Sequence, residues 1–214
     1  MNKFVRLIAL APVLASGGAA ADGFALGAKA GTLGLGVEGT TALSRNINLR
    51  VGINNYSYSF DETASNIRYN ADVDLQSGGL IFDWHPFAGT FRLSAGWLYN
   101  KNAAHLTTTP TSNVTIGNNT YTPAQVGTLS GDLKFKKNAP YLGLGWGNAV
   151  AKGGPFGVTF EIGALFQGNP AVTLRSSNGA VSQADLQREA QDAEADLDSF
   201  KVYPVVSLGF SYRF

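Results

Sequence analysis

No cysteine occurs among the 214 residues, so the chain forms neither disulfides nor thiolate metal sites and has no cysteine nucleophile. An excess of one charge sign is also missing. Sixteen basic residues stand against 15 acidic ones, which leaves no basic field for a nucleic-acid partner. Histidine is scarce, with only two residues, His85 and His105. The chain also lacks a long apolar run: beyond its first 22 residues nothing approaches the ~18 consecutive apolar residues that a membrane-spanning helix needs. The mean hydropathy of -0.01 matches this lack and looks like that of a soluble protein.

The first 22 residues have a basic start at Lys3 and Arg6, an apolar core over Leu7–Ala15, and Ala19-Ala20-Ala21. This is the layout of a secretory signal with an A-x-A cleavage site, so the expected division is a signal peptide over residues 1–21 and one domain over 22–214. Without Lys3 and Arg6 the balance becomes 14 basic against 15 acidic residues. An exported chain that integrates into a bilayer without an apolar helix does so as a closed β-barrel, because only helices and closed barrels satisfy every backbone polar group there.

What is present fits that requirement. Glycine (26) and aromatics (13 Phe, 8 Tyr, 3 Trp) are plentiful, as many strands joined by tight turns require. The last fourteen residues, KVYPVVSLGFSYRF, alternate strictly. Val202, Pro204, Val206, Leu208, Phe210, Tyr212 and Phe214 share one face, while Lys201, Tyr203, Ser207, Gly209, Ser211 and Arg213 share the other. A strand of that length rises roughly 46 Å, enough when tilted ~40° to cross an outer-membrane hydrocarbon band.

Ending on Phe214 after alternating aromatics, this strand resembles the C-terminal strand of bacterial outer-membrane β-barrels, and the mature chain resembles small barrels of the OmpA, OmpX or OmpW kind. The resemblance implies an all-β, transmembrane, antiparallel up-and-down barrel of about eight strands in the cell outer membrane of a Gram-negative bacterium. It further implies contact with outer-membrane lipids and lipopolysaccharide, and reading of the C-terminal strand by the barrel-assembly machinery.

Alternation predicts further strands over residues 28–43, 47–60, 67–85, 91–99, 131–148 and 156–166. Short turns at Ser44–Asn46, Pro86–Thr90 and Ala151–Pro155 alternate with longer loops, as periplasmic turns alternate with extracellular loops. Apolar parity switches near Ser77-Gly78-Gly79, which predicts a β-bulge there, and again across Pro140. The strands number seven, whereas such barrels have an even number. The eighth is expected either as a short upward strand over Phe24–Gly31 or to be replaced by an N-terminal segment threading the lumen.

The inward faces gather Glu38, Arg50, Asp83, Arg92, Glu161 and Arg213, three acids and three bases, in the periplasmic half. An eight-stranded barrel is just wide enough for side chains to fill, so these six predict a salt-bridged plug; in a narrow porin-like channel they would set selectivity instead. Trp84, Phe87, Phe91, Trp146, Phe156, Tyr212 and Phe214 cluster beside the periplasmic turns and predict an interfacial aromatic girdle, with Tyr56, Tyr58, Tyr69 and Tyr99 toward the upper interface.

Over Val181–Ser199 the β pattern gives way to Leu186, Ala190, Ala193 and Leu197 at helical spacing, and Ser182 with Asp185 suggests a capping box. One short extracellular helix is expected, its narrow apolar stripe resting on the barrel mouth or rim and Asp185, Glu189, Asp192, Glu194, Asp196 and Asp198 forming an acidic surface.

Gly34-Leu35-Gly36-Val37-Glu38-Gly39 matches GxGxxG but lies inside an alternating strand with no helix after it, so no nucleotide site is expected. His105 is followed by threonines rather than serine, and neither histidine has an acidic cluster nearby in sequence. No catalytic residue, cofactor or metal site is predicted; a lipid-modifying enzyme is the least favoured reading. The expected protein is a monomeric, non-enzymatic barrel with a filled lumen and a structural or surface-interaction role.

Overall fold

The computed structural model describes residues 23–64 and 67–214; the signal-peptide reading of residues 1–21 lies outside the described residues. In chain order the strands are β1 Phe24–Gly31, β2 Gly34–Ala42, β3 Ile47–Ala64, β4 Ile67–Trp84, β5 Phe91–Asn100 and β6 Ala103–Thr109. The hairpin β7 Val114–Ile116 and β8 Asn119–Tyr121 follows, then the short helix α1 Pro123–Val126. Next come β9 Leu129–Lys134, β10 Asn138–Trp146, β11 Phe156–Phe166 and β12 Ala171–Ser176. The helix α2 Gln183–Asp196 and a 3-10 turn over Leu197–Lys201 lead into the last strand, β13 Val202–Arg213.

Eight strands close an antiparallel barrel in the cyclic order β1, β2, β3, β4, β5, β10, β11, β13, with β13 returning to pair with β1. The strand expected over residues 28–43 is in fact part of a hairpin, and Phe24–Gly31 is the missing eighth strand. It turns at Thr32-Leu33 so that Gly31 faces Gly34. Both glycines are required by that turn. A Cβ at Gly31 would collide with the Val206 carbonyl oxygen, and Gly34 has φ +95°, where L side chains are disfavoured. The turn also tucks Leu33 into the core at 7% exposure.

The predicted bulge in β4 does not form. β3 and β4 stay in one register from Ile47↔Trp84 to Ala64↔Ile67. Leu80, Phe82 and Trp84 point outward, and so do Asp72 and Asp74 above them. The face is constant and its surroundings change: the outward side meets lipid in the barrel and water above it, so the apolar residues move to the inward side. The same inversion in β3 places Tyr56, Tyr58 and Phe60 on the inward parity, not in an upper lipid-facing girdle.

The second parity switch has a different cause. Residues 131–148 form two strands, β9 and β10, broken at Phe135–Lys137, and Pro140 sits within β10 opposite Trp97. Above the barrel, β4 exchanges its neighbour β5 for β6, and β6, β9 and β12 continue the sheet outward. The wall is therefore tall from β3 round to β12 and low at β13, β1 and β2. We call the tall part the crown.

Candidate functional site

The lumen is filled in layers. At the end of the barrel that carries the short turns, His85 is 1% exposed; its Nε2 lies 3.1 Å from Asn48 Nδ2 and its Nδ1 2.9 Å from the Gly89 carbonyl oxygen. Asn48 Nδ2 also donates to Asn148 Oδ1 (3.0 Å), which ties the turn after β10 to β3.

The next layer holds the charges. Arg50 donates Nη2 to Asp83 Oδ1 (2.9 Å) and to Glu161 Oε2 (2.5 Å), while its Nε lies 2.6 Å from Asp83 Oδ2. Arg92 Nη2 donates to the same Glu161 oxygen (2.7 Å), and its Nη1 donates to the Gly147 carbonyl (2.8 Å). Tyr141 and Ser94 hydroxyls fill the remaining acceptor positions, on Glu161 Oε1 and Asp83 Oδ1, each at 2.6 Å. Glu38 joins Arg50 (3.4 Å) to Lys29 (2.9 Å).

Five of the six residues expected in this network are thus brought together. Arg213 is not among them: it lies at the lower end of β13 beside Gly23 and makes no ion pair among the described residues. Lys29 is the third cation instead. The sequence signal for it is the inward parity of β1, legible only once the turn at Thr32-Leu33 is placed. Three cations and three anions leave the layer neutral, as burial of charge demands.

Above lies an apolar layer of Leu33, Ile81, Leu98, Tyr141, Leu165 and Val205, with Ala139, paired opposite Leu98, in the same cluster. Gly143 and Gly163 flank the Tyr141 ring, and a Cβ on either would collide with its hydroxyl. Over this layer Asn100 Nδ2 donates to Gln167 Oε1 (3.3 Å), and Gln167 Nε2 to the Phe200 carbonyl (3.0 Å). The lumen retains cavities of about 20 and 10 Å³, the larger between Lys29, Asn54, Tyr141 and Glu161. That is room for about one water each.

The crown has its own core, unforeseen in the sequence: Ile116, Tyr121, Val126, Val181 and Leu186, with Leu129 and Leu174 against them. The helix α2 packs here and on β12, not on the barrel mouth, and its capping Ser182 accepts from the Asp185 N–H (3.1 Å). Of the six acids expected on the helix, α2 carries five, with Asp198 in the 3-10 turn after it, and three of the five point into the fold. Asp185 accepts from Tyr121 Oη (2.5 Å), Asn119 Nδ2 (2.9 Å), Ser182 Oγ (2.7 Å) and the Asn118 N–H (3.2 Å). These donors, the Tyr121 hydroxyl first, hold its carboxyl well below the usual carboxylate range.

Glu189 accepts the Gly117 N–H (2.9 Å), and Glu194 accepts the Val172 N–H (2.8 Å) on the outer edge of β12. Gly117 has φ +60°, and a Cβ there would meet the Asp185 backbone at 2.8 Å, so the hairpin tip requires glycine. Asp198 pairs with Lys201, which leaves Asp192 and Asp196 as the acids of α2 facing outward.

On the outer face of the crown, His105 Nδ1 lies 2.9 Å from Asp132 Oδ1 and His105 Nε2 3.2 Å from Thr107 Oγ1. The nearby acid missing from the sequence comes from β9, paired beside β6. The hydrogen bond from His105 holds the Asp132 carboxyl below its ordinary range. A hydroxyl, imidazole and carboxylate in line have the outline of a nucleophilic relay, but an oxyanion needs free, convergent N–H donors. Here the flanking strands are paired on both sides, and His105 stands open to solvent at 47%. Among the described residues no group of three or more His, Asp or Glu forms a metal-ligating cluster.

Aromatic rings surround the short-turn end of the barrel in two runs. Phe87, Phe91, Trp146 and Phe160 contact one another in sequence at 5.8–6.4 Å between centroids. Phe156, Tyr212, Phe214 and Phe24 do so at 5.0–6.1 Å. Trp84 lies outward at 52% exposure. Phe24 and Phe160 extend the expected set.

No protein-family model matches the chain, and a comparison with curated proteins finds no match. Among solved structures it is similar to CarO2 of Acinetobacter baumannii, with 26% identity and a TM-score of 0.61 over 90% of this chain and 98% of that one. It is also similar to CarO of the same bacterium, with 25% identity and a TM-score of 0.60 over 89% and 97% of the two chains. The chain folds as an outer-membrane-type β-barrel with transmembrane strands and a filled, salt-bridged lumen.

Proposed function

We propose that the protein is exported by a signal peptide over residues 1–21 and works as a monomer in the outer membrane of a Gram-negative bacterium, where a closed barrel displays the crown to the outside. The observation that supports this reading is the filled lumen. A charged layer, an apolar layer and an Asn100–Gln167 layer lie in series across it, so the part free to meet other molecules is the crown. On this reading the two aromatic runs and Trp84 sit at the lower lipid interface, where amphipathic rings are favoured. Outer-membrane lipids and lipopolysaccharide surround the barrel, and β13 with Phe214 is the segment that the barrel-assembly machinery reads.

Planar-bilayer conductance of the refolded protein across a salt series tests this. Folding is verified independently by a shift in gel migration between boiled and unboiled samples. No unitary steps are expected from folded protein. Reproducible steps that change on neutralising Arg50 or Glu161 would replace the sealed barrel with a narrow pore.

A further inference from the structure

The crown sheet has two vertical edges, and the fold treats them differently. At β12 the outward-facing Val172 N–H is taken by Glu194, and α2 lies along the strand. At the other edge β2 ends where Leu35 meets Asn55, so β3 from Tyr56 upward pairs only with β4 among the described residues. Open strand edges are normally covered, charged with lysine or broken by proline. Residues Tyr56–Asp61, YSYSFD, contain neither.

The backbone groups on this edge can be assigned. Gln76 of β4 donates its N–H to Asn102 and accepts from the Lys101 N–H, so even residues of β4 face away from β3 and odd residues face toward it. Their partners on β3 are even, which leaves the N–H and C=O groups of Ser57, Ser59 and Asp61 directed at the open edge. Side chains flank this row with opposite chemistry. Tyr56, Tyr58 and Phe60 stand on the inward face, each at least 40% exposed. On the outward face are Asp61 and, one strand further on, Asp72 and Asp74, which accept from the Ser59 and Ser57 hydroxyls.

We infer that the β3 edge over Tyr56–Asp61 is a docking site for an extended polypeptide strand that alternates apolar and basic residues. A row of unpaired N–H and C=O groups is matched by another backbone, while alternate side chains supply the selectivity. Apolar residues of the incoming strand lie against Tyr56, Tyr58 and Phe60; its lysines or arginines reach Asp61, Asp72 and Asp74 across one or two strand spacings of about 4.8 Å. The inference rests on the crown being the exposed working surface.

The test uses the full mature chain refolded in detergent, its barrel verified by the gel shift. The probes are an end-blocked nine-residue peptide alternating Val and Lys, its Val/Glu counterpart, and a fully N-methylated Val/Lys analogue. Amide hydrogen exchange is read residue by residue. With the Val/Lys peptide, exchange at Ser57, Ser59 and Asp61 is expected to slow by about tenfold or more, while Tyr58 and Phe60, already in the ladder with β4, stay unchanged. The Val/Glu and N-methylated peptides are expected to leave all these amides as they were.

Equal protection by the N-methylated peptide would reduce the site to side-chain adsorption, and no protection by any peptide would overturn the inference. Either result leaves the sealed barrel standing, because conductance tests that separately.

Discussion

Carboxylates organise both halves of the molecule, yet in the barrel their main partners are cations and in the crown neutral N–H and O–H donors. Asp83, Glu161 and Glu38 are held by Arg50, Arg92 and Lys29, whereas Asp185, Glu189 and Glu194 are held by Tyr121, Asn119, Ser182 and backbone amides. The difference follows from access to water. Inside a packed lumen wrapped by lipid, net charge has no solvent to relax it, so every charge needs an opposite one. In the crown, water is close by, and a carboxylate can serve as a strong acceptor that pins several donors at once. Charge pairing closes the barrel; charge-assisted hydrogen bonding assembles the crown.

The largest expected effect comes from breaking the luminal pairing. Arg50→Met takes the main cation from Asp83, removes one of the two arginines on Glu161 and weakens the hold on Glu38, and should cost about 3–5 kcal/mol. Urea unfolding of the micelle-refolded barrel, followed by tryptophan fluorescence, checks this; a loss under about 1 kcal/mol would mean that the network contributes little.

Removing the crown's central carboxylate should leave the barrel intact. Asp185→Ala is expected to free the β7–β8 hairpin, making residues 111–130 and 177–200 readily cleaved by protease while the gel shift of the unboiled barrel persists. Loss of that shift would show that the two halves are not separable.

A third effect is acidic and confined to the crown. Because the folded Asp185 carboxyl titrates below its ordinary value, its contribution is fully present above the unfolded pKa of about 3.9. It is lost as pH falls through the lower folded value. Protease resistance of the hairpin should therefore hold at pH 5 to 7 and fail only in stronger acid (about pH 3 or below). Loss already near pH 6 would point to a different titrating group.

The smallest effect separates Arg213 from the other two arginines. With no ion pair among the described residues, Arg213→Ala should shift stability by less than about 0.5 kcal/mol in the same urea experiment. A loss comparable to that of Arg50→Met would place it in the network after all.

Much of the barrel is legible in the sequence, because a strand buried on one side and facing lipid on the other writes its geometry as alternation. Val202–Arg213 and Phe91–Asn100 carry that pattern plainly, and the turns at Ser44–Asn46 and Pro86–Thr90 interrupt it cleanly. Legibility fails where alternation has two causes. In β4 the apolar residues change sides at the membrane surface with no change in backbone register, so an inversion of solvent looks like a bulge. At Thr32-Leu33 the turn is only two residues long and keeps the apolar rhythm running through it, so two strands look like one.

Local periods of two or 3.6 residues suffice for the barrel class, the inward placement of Glu38, Arg50, Asp83, Arg92 and Glu161, and the presence of α2. Which of those charges meet is a tertiary matter. Closure of the barrel drew in Lys29 and left Arg213 out, and packing of the crown turned three acids of α2 into internal clamps. The same packing built a second core from segments far apart in the chain and left β3 as the uncovered edge. Periodicity sets which way a side chain points, but its partner lies on a strand brought alongside only when the barrel closes, and no local pattern records that.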